Sequence, residues 1–176
     1  MNIFSSSSFA VGLLAGLIIV IILFRFANRD HKLKTEYDER QKEIRGRGYM
    51  FGFYAFCICE LIMMLLEAGE IELPIPGIMV HLCTILISAM VLGCYTVWKG
   101  AYWGLNNNTN RYAVVFIITA ALNIIPIIGA VRSGTLMENG KVGAAFANVI
   151  VLIMLLILGI ELLVKSHMDA KEEAEG

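Results

Sequence analysis

The feature that most restricts this chain is a series of apolar runs of about 18 residues or more, enough to cross a hydrocarbon core of roughly 30 Å as a helix. They fall at residues 9–26, 49–66, 78–98, 112–131 and 142–164. With 58% hydrophobic and only 16% charged residues in a chain of 176, a soluble domain would have no interior able to hide them. Membrane-spanning β-strands would be about 10 residues long and strictly alternating, and the sequence lacks that pattern. The expected fold is all-α, a polytopic membrane helical bundle of five transmembrane helices forming one membrane domain over residues 1–176.

Orientation follows from the charged stretch between the first two runs, residues 29–47, RDHKLKTEYDERQKEIRGR. If it is cytosolic, Arg25, Arg29, Lys32, Lys34, Arg40, Lys42, Arg45, Arg47, Lys99, Arg111, Lys165 and Lys171 lie inside. Only Arg132 and Lys141 are then left outside. Twelve basic residues against two is a strong positive-inside bias. It predicts an N-terminus outside, a cytosolic C-terminus and a charged, frayed tail over 165–176. Nothing basic precedes the first run, and Arg25 and Arg29 follow it, so an uncleaved anchor is expected rather than a signal peptide.

Within the charged stretch, Glu36–Arg40, Asp38–Lys42 and Glu43–Arg47 are acid-before-base pairs at helical spacing. Thr35 with Asp38 resembles a capping box. Leu33, Tyr37, Gln41 and Ile44 form a thin stripe, and Gly46 and Gly48 offer a stop. A short cytosolic helix over 34–45 is expected. It would serve as a solvated linker drawn to anionic lipid, or as a docking surface for a cytosolic protein through Tyr37, Asp38, Glu39, Arg40, Gln41 and Ile44.

Asp38-Glu39-Arg40-Gln41, followed by Ile44-Arg45-Gly46, resembles the D-E-R-Q…I-x-G pattern of small multi-pass membrane proteins from low-GC Gram-positive bacteria. Some of those uncharacterised proteins are similar to ones encoded beside helix-turn-helix regulators. The resemblance covers about ten residues and the layout of spans. It implies a bacterial plasma-membrane protein and supplies no active site; Arg47 stands where such families commonly have Lys.

Polar side chains inside a bilayer are costly and usually face the bundle. At 1.5 Å per residue, His81 lies about 5 Å below the outer edge, Glu60 and Asn148 about 9 Å, and Asn123 about 12 Å, with Thr84 in the same zone. One reading is an outward-facing polar pocket of Glu60, His81, Asn123 and Asn148 for a small ligand or ion. The other is interhelical glue at about 0.6 kcal/mol per bond, with His81 paired to Glu67. Glu161, four residues before Lys165, is expected to snorkel to the cytosolic interface. Pro126 predicts a kink in the fourth span.

Chemistry beyond this is sparse. Cys57 and Cys59 point to different helix faces, and Cys83 and Cys94 stand about 16 Å apart, too far to bridge. Reduced, packed thiols are expected, with no metal, disulfide or cofactor. No H-E-x-x-H, G-x-S-x-G or phosphate-cradling loop occurs, so the chain is expected not to be an enzyme. A net charge of −1 gives no basis for direct nucleic-acid binding. Ser8, Gly12 and Gly16 make a small-residue stripe, for internal packing or for a homo-oligomer through Gly12 and Gly16. The leading expectation is a non-catalytic sensor or adaptor of the cell membrane. The alternative is a small transporter or channel subunit using Glu60 and His81.

Overall fold

The computed structural model describes residues 14, 18–19, 21–138 and 140–175, without the side chains of 172, 173 and 175. Helix α1 covers residues 21–27, and residues 14, 18 and 19 are helical too. There follow α2 (Glu39–Ala68), α3 (Gly77–Trp98) and α4 (Thr109–Ser133). Strands β1 (Met137–Glu138) and β2 (Lys141–Val142) lead into α5 (Phe146–Glu175). Much of the expected first span, and Ser8, Gly12 and Gly16, lie outside the described residues.

The architecture is all-α apart from that small hairpin, and α2 to α5 are each long and apolar enough to cross a membrane. Their large apolar side chains are turned outward: Leu163 is 73% exposed, Ile117 70% and Leu65 65%. In water such surface would drive aggregation; against lipid it needs no cover.

The chain divides into two compact units, Met1–Asp38 with Trp103–Ile117 and Glu39–Tyr102 with Ile118–Gly176. In the first, the segment after α1 is laced to the loop before α4. Asn28 and Asn107 form an antiparallel bridge. The Arg29 amide donates to the Asn106 carbonyl at 2.8 Å, and the Leu105 amide to the Glu36 carbonyl at 2.8 Å. Buried Asn106 donates from Nδ2 to the Lys34 carbonyl and accepts the Glu36 amide on Oδ1. Asn107 Nδ2 reaches Asn28 Oδ1 at 2.7 Å, and Trp103 meets Tyr112 edge-on.

This lacing corrects the expected helix over 34–45. Backbone groups of Arg29, Lys34 and Glu36 are engaged by the 104–108 loop and cannot join an i to i+4 ladder. Residues 31–38 are therefore non-helical, and the helix begins at Glu39, with Asp38 just outside it rather than Thr35 as cap. Leu33 and Tyr37 consequently do not share a helical stripe with Gln41 and Ile44. Of the expected pairs, Glu43–Arg47 forms at 2.7 Å, whereas Lys32 takes Glu36 and Glu39 takes Lys42.

Nor do Gly46 and Gly48 stop α2, which runs unbroken to Ala68. In the second unit α3 packs against both α2 and α5, and glycine serves that contact. A Cβ on Gly48 would lie 2.8 Å from Leu92 Cδ1, and one on Gly52 3.1 Å from the Ser88 carbonyl oxygen. Ser88 Oγ also donates to the Gly52 carbonyl at 2.8 Å.

Two further boundaries move. The helix expected over 142–164 starts at Phe146, because Lys141–Val142 pairs with Met137–Glu138. The Val142 amide also bonds the Pro74 carbonyl, and Lys141 reaches Glu72 at 3.7 Å. The tail expected to fray is helical through Glu175, with Lys165 bonded to Asp169 one turn on.

Candidate functional site

Helices α2 and α3 are antiparallel, so Glu60, Gly52 and Gly48 meet Thr84, Ser88 and Leu92 in order. On α3 the spacing of His81, Thr84 and Ser88 by three and four residues puts them on one face. That face carries hydroxyl and imidazole groups to the partner helix, where His81 and Thr84 meet Glu60 and Ser88 meets the Gly52 carbonyl.

Thr84 Oγ1 lies 2.6 Å from Glu60 Oε1 and 2.8 Å from the His81 carbonyl. A hydroxyl has one proton to give, and the charged carboxylate is the stronger acceptor. His81 Nδ1 is 3.2 Å from both Glu60 oxygens. The Thr84 residue is 3% exposed, whereas the side chains of Glu60 and His81 are 24% and 65% exposed. The group is therefore closed on the helix side and open through the imidazole. His81 pairs with Glu60, correcting the expected pairing with Glu67.

Only part of the anticipated polar pocket assembles. Asn123 donates to the Thr119 carbonyl of its own helix at 2.8 Å. Asn148 is half-buried on α5, and among the described residues neither asparagine hydrogen-bonds to the Glu60 group. The chemistry the three residues offer is reversible: a carboxylate and an imidazole that can take a proton, or give up a hydrogen bond to a small donor or cation.

The stretch proposed for docking has a second occupation. Arg40 Nη2 donates to the Lys99 carbonyl and Arg45 Nη1 to the Ala101 carbonyl, each at 3.4 Å. Both carbonyls lie just past the C-terminal end of α3 at Trp98, where a guanidinium is favoured by the helix dipole. Arg45 also lies over the Tyr49 ring. Tyr37, Gln41 and Ile44 are half-buried, while Asp38, Glu39 and Arg40 are exposed. Sequence reasoning missed these contacts, because basic residues ahead of an apolar run read first as an orientation signal.

Glu161 is a correction too. It does not snorkel: the residue is 9% exposed and both carboxyl oxygens are enclosed. Lys165, one turn on, is bonded to Asp169 instead.

Comparison with family models, with curated proteins and with solved structures returns no match.

Proposed function

We propose that this chain is a non-catalytic integral membrane protein that receives a small ligand or proton at Glu60, His81 and Thr84 and docks a cytosolic protein near Glu39 and Arg40. In this reading it crosses a bacterial cell membrane five times, with the N-terminus outside, the C-terminus cytosolic and α1 within the first crossing. The observation that carries it is the meeting of one carboxylate from α2 with an imidazole and a hydroxyl from α3.

Continuity of α2 links the two ends. Glu39 and Glu60 lie on one unbroken helix, about 30 Å apart at 1.5 Å per residue. A change in how Glu60 holds α3 is then felt at the charged end without passing through a loop. Transport through the same residues is the weaker reading. A path needs polar groups on facing helices at successive depths, and Asn123 is turned to its own backbone.

The test is a photo-crosslinking side chain at position 39 in intact cells, with and without Glu60→Gln. A protein adduct whose yield changes with the substitution supports the proposal. Lipid adducts alone would sink the docking half, and a cation flux into proteoliposomes lost in the same variant would move the reading to transport. Cysteine labelling should find position 38 reachable only from the cytosol and position 72 from the medium.

A further inference from the structure

The unit that joins the end of α1 to the start of α4 carries five basic side chains against three acidic ones. Lys32 answers two of the acids, lying 3.5 Å from both Asp30 and Glu36. Among the described residues, Arg25, Arg29, Lys34 and Arg111 have no carboxylate partner. The backbone gathers these four. The His31 amide closes a turn onto the Asn28 carbonyl at 3.3 Å, and Arg25 Nε donates to the His31 carbonyl at 3.3 Å. Arg111 Nη1 donates to the Phe26 and Asn28 carbonyls at 3.2 and 3.4 Å, with its guanidinium over the Phe26 ring. Each of these two arginines spends one nitrogen on the turn and keeps the rest of its fork. Arg29 and Lys34 flank Asn106, whose carbonyl accepts the amide of the first and whose Nδ2 donates to the carbonyl of the second. Both extend exposed side chains.

Guanidinium and ammonium donors without a carboxylate to pair with suit a phosphate. The surroundings favour the phosphate of a lipid over a soluble one. Phe26, Leu33 and Val114 of the same unit are exposed, and acyl chains cover such surface. Apolar α1 ends and apolar α4 begins here, which sets the four cations at the depth of headgroups. We infer that Arg25, Arg29, Lys34 and Arg111 form a site for the headgroup of an anionic phospholipid. The cations hold its phosphate, and its acyl chains lie against Phe26, Leu33 and Val114. A zwitterionic lipid is discriminated against, because its own ammonium group faces the same four positive charges. Because the loop bonds through Asn106 fix the backbone on both sides, the site is formed before the lipid arrives. The headgroup depth rests on the membrane reading proposed above, though not on which leaflet the unit faces.

Trp103 lies in this unit, and the chain has two tryptophans, so Trp98→Phe leaves it as the single reporter. The full-length protein is reconstituted in phosphatidylcholine, and Trp103 emission is titrated with lipid brominated high on the acyl chain. Brominated phosphatidylglycerol should quench at lower mole fraction than brominated phosphatidylcholine. Each of Arg29→Gln and Lys34→Gln should lower that preference about fivefold, the effect of one basic residue at an anionic surface. Neither side chain is bonded among the described residues, and unchanged Trp103 emission without bromolipid shows that the unit stays folded. Arg132→Gln, at the other end of α4, should leave the preference intact. Equal quenching by the two lipids overturns the inference and leaves the membrane reading standing; quenching by neither overturns both. A preference that survives the double variant, or is lost equally in Arg132→Gln, overturns the site. Its abolition by inorganic phosphate at constant ionic strength would assign the cations to a soluble anion and overturn the lipid as ligand.

Discussion

Asn106 Nδ2 lies 3.2 Å from each carboxylate oxygen of Asp30, across 76 residues of chain. The same amide donates to the Lys34 carbonyl, while its oxygen accepts the Glu36 amide at 2.9 Å. One 8%-exposed asparagine thus satisfies three separate points of the charged segment. That makes the segment a folded part of the protein instead of a tether between spans.

Replacing Asn106 by alanine removes all of these bonds and strands the Glu36 amide. A buried donor left unpaired costs about 1–3 kcal/mol, so Asn106→Ala should lower stability by at least that much. Asn106→Asp should be worse, because it loses the donors and faces Asp30 with a like charge. Hydrogen exchange is the check: amides of residues 28–36 should exchange faster, with α2 and α3 unchanged. Uniform protection in both variants would contradict the lacing.

Asp30 also gives the lacing a pH dependence. The Lys32 amide bonded to its carboxylate, aided by Asn106 and the Lys32 charge, holds its pKa below the usual 3.8 despite some desolvation. A lowered folded value means the stabilisation is fully present above the unfolded value and disappears as pH falls through the folded one. Fluorescence of Trp103, which packs on Tyr112, should therefore change on acidification below about pH 4. In Asp30→Asn that transition should be missing; its persistence would assign it to another carboxyl.

How much of this the sequence disclosed depends on the range of the force involved. Apolar runs of spanning length were readable because hydropathy acts residue by residue, and α2 to α5 lie where those runs do. Glu60, His81 and Thr84 were readable as one polar zone, since rise per residue gives depth. Rotation about the helix axis is set by packing, so nothing local said that Asn123 would turn to Thr119. The helix over 34–45 was misjudged because its spacing of charges is a weak local preference, and bonds to Asn106 outweigh it. The Met137–Val142 hairpin had a usable signal in Asn139-Gly140, the dipeptide favoured in two-residue turns; an all-helical expectation passed over it.

Glycines at the α2–α3 and α3–α5 contacts should differ in tolerance. At Gly52 the obstacle is the Ser88 backbone oxygen, which cannot move aside, whereas at Gly93 it is the end of the Leu158 side chain. Alanine gains roughly 1 kcal/mol of helix propensity over glycine, while overpacking costs about 1–3 kcal/mol. Gly52→Ala should therefore be net destabilising and Gly93→Ala close to neutral. Thermal unfolding in mild detergent reads the difference, and the reverse order would show that Leu158 is the less yielding neighbour.

The Glu60 group can be dissected by the same measurement, and the geometry dictates an order. Thr84 gives the short bond and is almost wholly buried, so Thr84→Val leaves Glu60 without its closest donor. Loss of a bond to a charged group costs about 1.5–3 kcal/mol, and Thr84→Ser should recover most of it. His81 is open to its surroundings on the far side of the ring, and exposed ion pairs contribute only about 0–1 kcal/mol. His81→Asn should therefore cost less than Thr84→Val at neutral pH. If His81→Asn proved the costlier substitution, the buried hydroxyl would not be what fixes α3 to Glu60, and the imidazole would have to be reassigned as the principal bond between the helices.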